Sequence, residues 1–373
     1  MNITYTQNNQ THHQQEYMSM LSNESKFTQS VDAVYSSPWI TNLLFPNSQL
    51  DSQELDDVVS IITQDSLTPH TVLFLAEGQV YHQLTAIMEL CQRGKNSPKL
   101  RIWNPSLSSG EFSVRLRHLK DKSVTFVPVA TETESLAYRC NYAIIKKYIT
   151  ENCKKSSFPW IYPIFSESSM LLKEDTVENQ YQHLGLEPWA NDGNLGSSKL
   201  ACLLLKIRKV SWDQYIEGFK KMISSPQWDT ILPNLAKFII HNIQQSQRPQ
   251  FTTLQREFQP LCQYINSYLD NLPAAKSGKN LVVLSAKETK EDIMTPYFEG
   301  CHQDGSLNLL AADIISNSHE FSGSFGISWL DNKADDCLFW SIQLDSTSPE
   351  NCGELTAYLQ LTLAIVKEFV KIP

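Results

Sequence analysis

The sequence lacks any long apolar stretch and any secretory signal. No segment approaches the roughly 18 consecutive apolar residues that span a membrane. The opening, MNITYTQNNQTHHQQEY, has neither the charged nor the apolar region of a secretory signal. Its polar composition predicts a disordered leader over residues 1–28. We therefore expect a globular protein without a membrane span.

Basic residues are too few for a nucleic-acid-binding surface. The chain carries 31 Lys and Arg against 40 Asp and Glu, which gives a formal net charge of −9. Affinity for nucleic-acid phosphates comes mainly from clustered Lys and Arg. The sequence therefore predicts no nucleic-acid partner.

The cysteines lack the spacing of a zinc site. No two of them form a CxxC pair, so a structural metal is not expected. We predict reduced thiols in a cytosolic setting, with no metal and no cofactor. The eight positions are Cys91, Cys140, Cys153, Cys202, Cys262, Cys301, Cys337 and Cys352.

The organisation of the chain follows from two polar loops. With 373 residues, of which 41% are hydrophobic, it can build two or three domains. The loops EPWANDGNLGSSK (187–199) and NLPAAKSGKN (271–280) are candidate boundaries because they combine Pro, Gly, Asn and Ser. After the leader, the predicted segments are a first domain over 29–197 that contains both strands and helices, a helical region over 198–273 and an α+β segment over 281–373.

The first of these segments contains the strands on which the functional hypothesis depends. We predict short helices over residues 29–68, before the strands, and two helices among the strands, over 112–121 and 140–149. The order is then strand, strand, strand, helix, strand, helix. The predicted strands are TVLFLAE (71–77), HQLTAIMEL (82–90), LRIWN (100–104) and SVTFVPVA (123–130).

Three polar residues lie at the ends of these predicted elements. His82 opens the second strand, Asn104 closes the third, and Cys140 begins the helix after the fourth. A thiol becomes a nucleophile when an imidazole takes its proton and a third group orients that imidazole. The amides and dipole at a helix N-terminus would also favour the thiolate.

The stretches YHQLTAIMEL, LRIWNPSL and TETESLAYRCNY resemble, in this order, the adenovirus-protease-like clan of cysteine peptidases. That clan contains the SUMO and ubiquitin-like proteases, bacterial effector deubiquitinases and effector acetyltransferases. The resemblance implies an α+β fold with a ubiquitin-like-protease-type core. In such a core a central mixed sheet is flanked by helices, and here a helical and α+β C-terminal extension would follow it.

The resemblance also implies a function, that of a thiol isopeptidase. The enzyme would remove ubiquitin or a ubiquitin-like protein from a target protein, with His82 as base, Asn104 as orienting group and Cys140 as nucleophile. It implies a bacterial effector that is secreted into the host-cell cytoplasm. The expected partners are the modifier and the ubiquitinated target.

Two alternatives remain open at the level of sequence. The same three residues would serve an acetyltransferase that uses acetyl-CoA. A catalytically inactive interaction protein on the same fold is favoured by Arg139 and Asn141, which replace the acidic residue and the glycine that flank the nucleophile in the family. Thr133 and Glu134 stand where the family has its oxyanion-hole glutamine.

Other residues compete for the same roles. Cys352 lies just before a predicted helix with His319 upstream, and Gly353 would cap the loop before that helix. His70 precedes the first strand and competes with His82 as the base. The modifier, the chain linkage and the oligomeric state are not determined by the sequence.

Overall fold

The structure is a computed structural model, and it divides into two compact units. Residues Ser37–Asp213 form the central unit, and Met1–Ser36 with Gln214–Pro373 form the terminal unit. None of the described helices is long and apolar enough to cross a membrane. The residues that the structure describes are 2–7, 10–12, 24–44, 52–63, 70–105, 109–153, 160–190, 193–224, 232–253, 255–272, 276–286 and 338–371.

The elements are numbered in chain order within these residues. The strands are β1 (Asn2–Gln7), β2 (Gln10–His12), β3 (His70–Leu75), β4 (Lys99–Trp103), β5 (Ser123–Ala130), β6 (Ile164–Phe165), β7 (Leu184–Gly185), β8 (Gln247–Thr252), β9 (Lys276–Ala286) and β10 (Leu338–Leu344). The helices are α1 (Glu24–Tyr35), α2 (Pro38–Leu44), α3 (Ser52–Thr63), α4 (Gly78–Leu90), α5 (Ser109–Arg117), α6 (Leu136–Asn152), α7 (Leu171–Asn179), α8 (Lys199–Ile207), α9 (Trp212–Ser224), α10 (Leu232–Gln244), α11 (Gln259–Asp270) and α12 (Pro349–Lys371).

The central unit is built on a five-stranded parallel sheet in the order β4-β3-β5-β6-β7. Strand β3 is buried along its whole length, and β5 is buried from its second residue onward. A strand that is covered on both faces has a nearly continuous run of apolar residues. VLFL in β3 and VTFVPVA in β5 are such runs. Helices α4, α5, α6 and α7 connect successive strands, which is the connection that parallel pairing requires.

The predicted mixed sheet of a ubiquitin-like-protease-type core is therefore wrong for these residues. Its error lies in HQLTAIMEL, which is not a strand but most of helix α4. Val80, Leu84 and Ile87 are buried at helical spacing. Because the segment is a crossover helix, β3 and β4 pair in parallel rather than through a hairpin.

One face of the parallel sheet carries a continuous apolar core. Leu73 and Leu75 of β3 and Phe126 of β5 pack there with side chains of α5, α6 and α7. Tyr138 and Tyr142 belong to this core, and both lie on the buried face of α6. This packing fixes where α6 begins relative to the carboxyl end of β5.

The terminal unit contains the second sheet, in the order β2-β1-β10-β9-β8. Strands β8, β9 and β10 are parallel, and β1 pairs antiparallel with β10. Strand β1 lies within the segment for which the sequence predicted a disordered leader. Helix α12, of which 15 of 23 residues are buried, packs against α1 and α10.

His70 is held at the amino end of the central sheet, away from the carboxyl ends of the strands. It is buried, and its ring nitrogens lie 2.8 Å from Ser123 Oγ, 3.1 Å from Ile62 O and 3.1 Å from Thr125 Oγ1. Burial lowers the pKa of His70, and the hydrogen bond to Ile62 opposes that shift. Burial in the fold thus favours the neutral form of the ring.

We expect this histidine to make the fold sensitive to acid. Above its unfolded pKa of about 6.5 the ring is neutral in both states. Below that pH the unfolded chain binds a proton that the folded chain does not, so stability falls as pH falls, by at most about 1.4 kcal/mol per pH unit from this group. Urea unfolding between pH 5 and 7 should show a weaker dependence in His70→Gln than in the exposed control His118→Gln. Equal slopes in the two variants would contradict this role.

Candidate functional site

A cleft opens at the carboxyl edge of the parallel sheet, between β3 and β5. The chain runs from β3 outward to β4 on one side and continues from β5 to β6 and β7 on the other. Such a switch point is where open α/β sheets bind their ligands. The cleft has a volume of about 170 Å³ and is lined by residues 77–80 and 129–133.

The first wall of the cleft is the N-terminus of α4. Gly78 opens the helix with φ +56°, a left-handed conformation that favours glycine. The preceding residue, Glu77, makes no side-chain cap to this helix. The first amides of a helix have no acceptor within it, and together with the helix dipole they favour an anion. This end of α4 thus offers the cleft a site for negative charge.

The second wall is the loop from β5 to α6, with the sequence TETES (131–135). Thr131, Glu132 and Thr133 line the cleft. Glu132 is exposed, and within the described part of the chain no hydrogen bond or ion pair engages its carboxylate. The cleft therefore combines hydroxyl groups, an unengaged carboxylate and helix amides.

Glu77 links the two walls. Its carboxylate accepts a hydrogen bond from the Ser135 amide, with Oε1 at 3.0 Å, and a second from Ser135 Oγ. Ser135 Oγ in turn accepts from the amide of Tyr138, at 3.1 Å. The N-terminus of α6 is thus already closed by an internal anion, whereas that of α4 is not closed by the side chain before it.

Glu134 faces away from this chemistry and serves the fold. It is buried, and its carboxylate accepts hydrogen bonds from Ser169 Oγ and, at 3.2 Å each, from the amides of Leu171 and Leu172. It therefore closes the N-terminus of α7. Burial, followed by the charges of Glu134 and Glu77, raises the pKa of the neighbouring Tyr138 and keeps that phenol neutral.

A third loop supports the second wall from behind. Ser166 Oγ and Ser168 Oγ donate to Thr131 O, at 2.6 and 3.1 Å, and Thr133 Oγ1 donates to Ser168 O at 3.2 Å. These bonds join the loop after β6 to the loop after β5. The cleft wall is consequently ordered before any ligand arrives, which lowers the cost of binding.

The structure places the three predicted catalytic residues on separate elements. Cys140 is exposed on α6, and His82 is half-buried on α4, where burial lowers its pKa. Asn104 directly follows β4, and the next residue, Pro105, accepts a hydrogen bond from Asn141 at 2.9 Å. None of the three lines the cleft. A joint catalytic role for them stays a prediction.

The terminal unit repeats the arrangement of strand, hydroxyl-rich loop and helix. Strand β10 leads through DSTS (345–348) into α12, and Ser348 Oγ accepts from the amide of Asn351 at 3.3 Å. Cys352 is fully buried there, with Sγ 3.5 Å from Thr347 O. Its proposed partner His319 lies outside the described residues. Both competing cysteines thus stand early in a helix that follows a Ser/Thr loop.

The predicted site centred on Cys140 and therefore did not include the residues that line the cleft. The strand VTFVPVA followed by TETES already indicated a polar loop between a buried strand and a helix. No local pattern indicated Glu77 and Gly78, because the prediction of a strand over HQLTAIMEL places Gly78 in a turn between two strands rather than at the start of a helix.

Comparison with known proteins supports the fold. No protein-family model matches the sequence, and no curated protein matches it either. The chain is similar in structure to a hypothetical protein from Thermus thermophilus, with a TM-score of 0.68, 12% identity, and coverage of 92% of this chain and 88% of that one. It is also similar to a glucose-6-phosphate isomerase from Chlamydia trachomatis, with a TM-score of 0.60, 10% identity, and coverage of 93% and 74%.

These similarities overturn the resemblance to adenovirus-protease-like cysteine peptidases. The chain shares a parallel α/β architecture with an isomerase rather than a peptidase core. The predictions of a thiol isopeptidase or deubiquitinase, of ubiquitin or a ubiquitin-like protein as partner, and of a ubiquitinated target are therefore wrong. The two alternatives, an acetyltransferase and an inactive protein on the peptidase fold, lose their support with the fold. Secretion into a host cell stays a prediction.

Proposed function

We propose that the cleft binds a phosphorylated sugar and that the protein interconverts its aldose and ketose forms. The observation that carries the proposal is the cleft at the switch point, which joins the N-terminus of α4 to the TETES loop. The fold similarity to a glucose-6-phosphate isomerase supports it. Glucose 6-phosphate and fructose 6-phosphate are the pair that this similarity suggests for testing.

The phosphate has one favourable position in the cleft, at the start of α4. Amide groups at a helix N-terminus hold phosphates through hydrogen bonds and through the helix dipole. The left-handed glycine at position 78 has no heavy atom within 4 Å of the point where a Cβ would lie. A ligand therefore approaches the backbone there without meeting a side chain.

Isomerisation requires a base that moves a proton between neighbouring carbons. The base removes the proton from C2 of the aldose and returns it to C1, while the hydroxyl proton of C2 passes to the oxygen of C1. A positioned carboxylate performs this transfer. Glu132 fits the role because its carboxylate is unengaged among the described residues, whereas that of Glu77 is bound to Ser135.

Isothermal titration with glucose 6-phosphate, fructose 6-phosphate and unphosphorylated glucose tests the binding step. We expect the two phosphorylated sugars to bind and glucose to bind far more weakly. In Gly78→Asp a carboxylate at the start of α4 should repel the phosphate and weaken binding by about tenfold or more. The matched variant Gly78→Asn, which tolerates the left-handed conformation without the charge, should bind within a few-fold of the wild type.

Two results would contradict the proposal. The first is that neither phosphorylated sugar binds to the folded wild-type protein. The second is that Gly78→Asp and Gly78→Asn bind the sugars equally well, because the phosphate would then lie elsewhere.

A further inference from the structure

The peptide group between Thr131 and Glu132 is fixed by the loop after β6. Its carbonyl oxygen, Thr131 O, accepts from Ser166 Oγ at 2.6 Å and from Ser168 Oγ at 3.1 Å. A peptide group is planar, so fixing its oxygen also fixes the direction in which its nitrogen leads into Glu132. The backbone orientation of Glu132 therefore depends on these two hydroxyls.

The residues that follow Glu132 are held by the same part of the chain. Thr133 Oγ1 donates to Ser168 O at 3.2 Å. The buried carboxylate of Glu134 accepts from two amides at the start of α7, at 3.2 Å each. Glu132 thus stands between tethered neighbours, while its own side chain is exposed and lines the cleft.

The two serines are not equivalent donors. Ser166 is buried, whereas Ser168 is exposed. Their hydroxyl oxygens lie 2.7 Å apart, and each hydroxyl has a single proton to donate. The bond from Ser166 to Thr131 O is the shorter and the more buried of the two. Water replaces a donor that is lost at the surface, but a buried acceptor that loses its donor stays unsatisfied.

Ser166 holds two successive carbonyls at the end of β5. Its amide donates to Ala130 O at 3.0 Å, next to the β5–β6 pairing, and its hydroxyl donates to Thr131 O. Glu132 comes directly after these two carbonyls. Ser166 is not among the residues that line the cleft, so any effect it has on a reaction there passes through the backbone.

We propose that Ser166 is a positioning residue for Glu132. Its hydroxyl orients the peptide group that carries Glu132 and so directs the carboxylate into the cleft. Reacting groups must be held close to their productive geometry, and a misplacement of about 1 Å costs on the order of 10²-fold in rate. The positioning of a base rests on the proposed isomerisation. The ordering of the loop by Ser166 does not.

Steady-state kinetics of Ser166→Ala and Ser168→Ala test the positioning. We expect Ser166→Ala to lower kcat for glucose 6-phosphate by about 10-fold to 100-fold, with KM within about threefold of the wild-type value. Ser168→Ala is the matched control, since it removes the exposed and longer bond to the same oxygen, and its kcat should stay within about threefold of wild type. Wild-type kcat in Ser166→Ala, or equal losses in the two variants, overturns the proposal.

A double variant separates the positioning of Glu132 from a general weakening of the fold. If Ser166 acts through Glu132, adding Ser166→Ala to Glu132→Gln should lower kcat no further, because residues that act as one unit are not additive. A loss in the double variant as large as that of Ser166→Ala in the wild-type background overturns the action through Glu132.

Hydrogen exchange of the TETES loop without substrate gives a readout that is independent of isomerase activity. The amides of residues 132 and 133 should exchange faster in Ser166→Ala than in the wild type and in Ser168→Ala. The same exchange rates in all three proteins overturn the ordering of the loop by Ser166. If the wild type does not interconvert the two sugars, the proposed function fails, and the exchange result still decides the ordering.

Discussion

Glu132→Gln should lower kcat for the interconversion of glucose 6-phosphate and fructose 6-phosphate by a factor of about 10² to 10⁴. Glutamine has the shape of glutamate, but its amide cannot take up the proton from C2. We expect KM to remain within about threefold of the wild-type value, because the phosphate is held by the start of α4 rather than by Glu132. Steady-state kinetics with a coupled assay measures both constants.

The control for this variant is Glu167→Gln. Glu167 lies on the neighbouring loop after β6, its side chain is 90% exposed, and it pairs with Lys173 at the surface. Glu167→Gln removes one negative charge from the same edge of the sheet, as Glu132→Gln does, but Glu167 does not line the cleft. Wild-type kcat in Glu132→Gln, or equal losses in the two variants, would exclude Glu132 as the base.

Gly353→Ala should destabilise the terminal unit by about 3 kcal/mol or more. A Cβ at this position would lie 1.9 Å from Tyr215 O, and one at Gly218 would lie 1.9 Å from Glu350 O. Helices α9 and α12 therefore pack backbone to backbone, and Lys221 closes the same crossing by pairing with Glu354 at 2.7 Å. A single methyl group forces the two helices apart because neither backbone can rotate away.

Denaturant unfolding, with hydrogen exchange of α9 and α12 as a local readout, measures this effect. Gly110→Ala is the matched control, since no heavy atom lies within 4 Å of its would-be Cβ and alanine stabilises helices by roughly 0.5–1 kcal/mol over glycine. The two substitutions should thus have opposite signs. Wild-type stability in Gly353→Ala would show that the helices do not meet as described. This glycine was predicted to cap a loop, but it lies inside α12.

The strands of the central sheet could be predicted from the sequence. The runs predicted over 71–77, 100–104 and 123–130 correspond to β3, β4 and β5 within two residues at each end. Burial on both faces makes such runs uniformly apolar, so each strand can be recognised in the sequence before its neighbouring strand is known. The pairing was not visible, because whether two strands run parallel depends on the segment between them. Here that segment, α4, is as apolar as a strand.

The site could not be predicted because its decisive contacts are distant in sequence. The carboxylate of Glu77 closes α6 through Ser135, 58 residues away, and Glu134 closes α7 across 37 residues. Both glutamates are unremarkable in their local sequence. Only the fold shows that Glu77 closes the N-terminus of α6 beside the cleft. It also shows that Glu134 closes the N-terminus of α7, next to the loop after β6.

The start of helix α6 does not support the predicted nucleophile role of Cys140, and that role stays a prediction. Cys140 is the fifth residue of α6, so it lies beyond the first turn, where the unpaired amides and most of the dipole field act. Ser135 and Glu77 already occupy that end of the helix. The predicted order of strand, polar loop and helix is present, and the residues of the loop, not Cys140, line the cleft.

Solvent exchange during turnover tests the central claim most directly. Glucose 6-phosphate incubated with the wild-type protein in D₂O should acquire deuterium at C2, and the fructose 6-phosphate formed should carry it at C1, both followed by ¹H NMR. The label should be absent from the sugars incubated with Glu132→Gln, and it should remain in Cys140→Ser, since the thiol has no part in the proton transfer. Unlabelled sugars after incubation with folded wild-type protein would contradict the account.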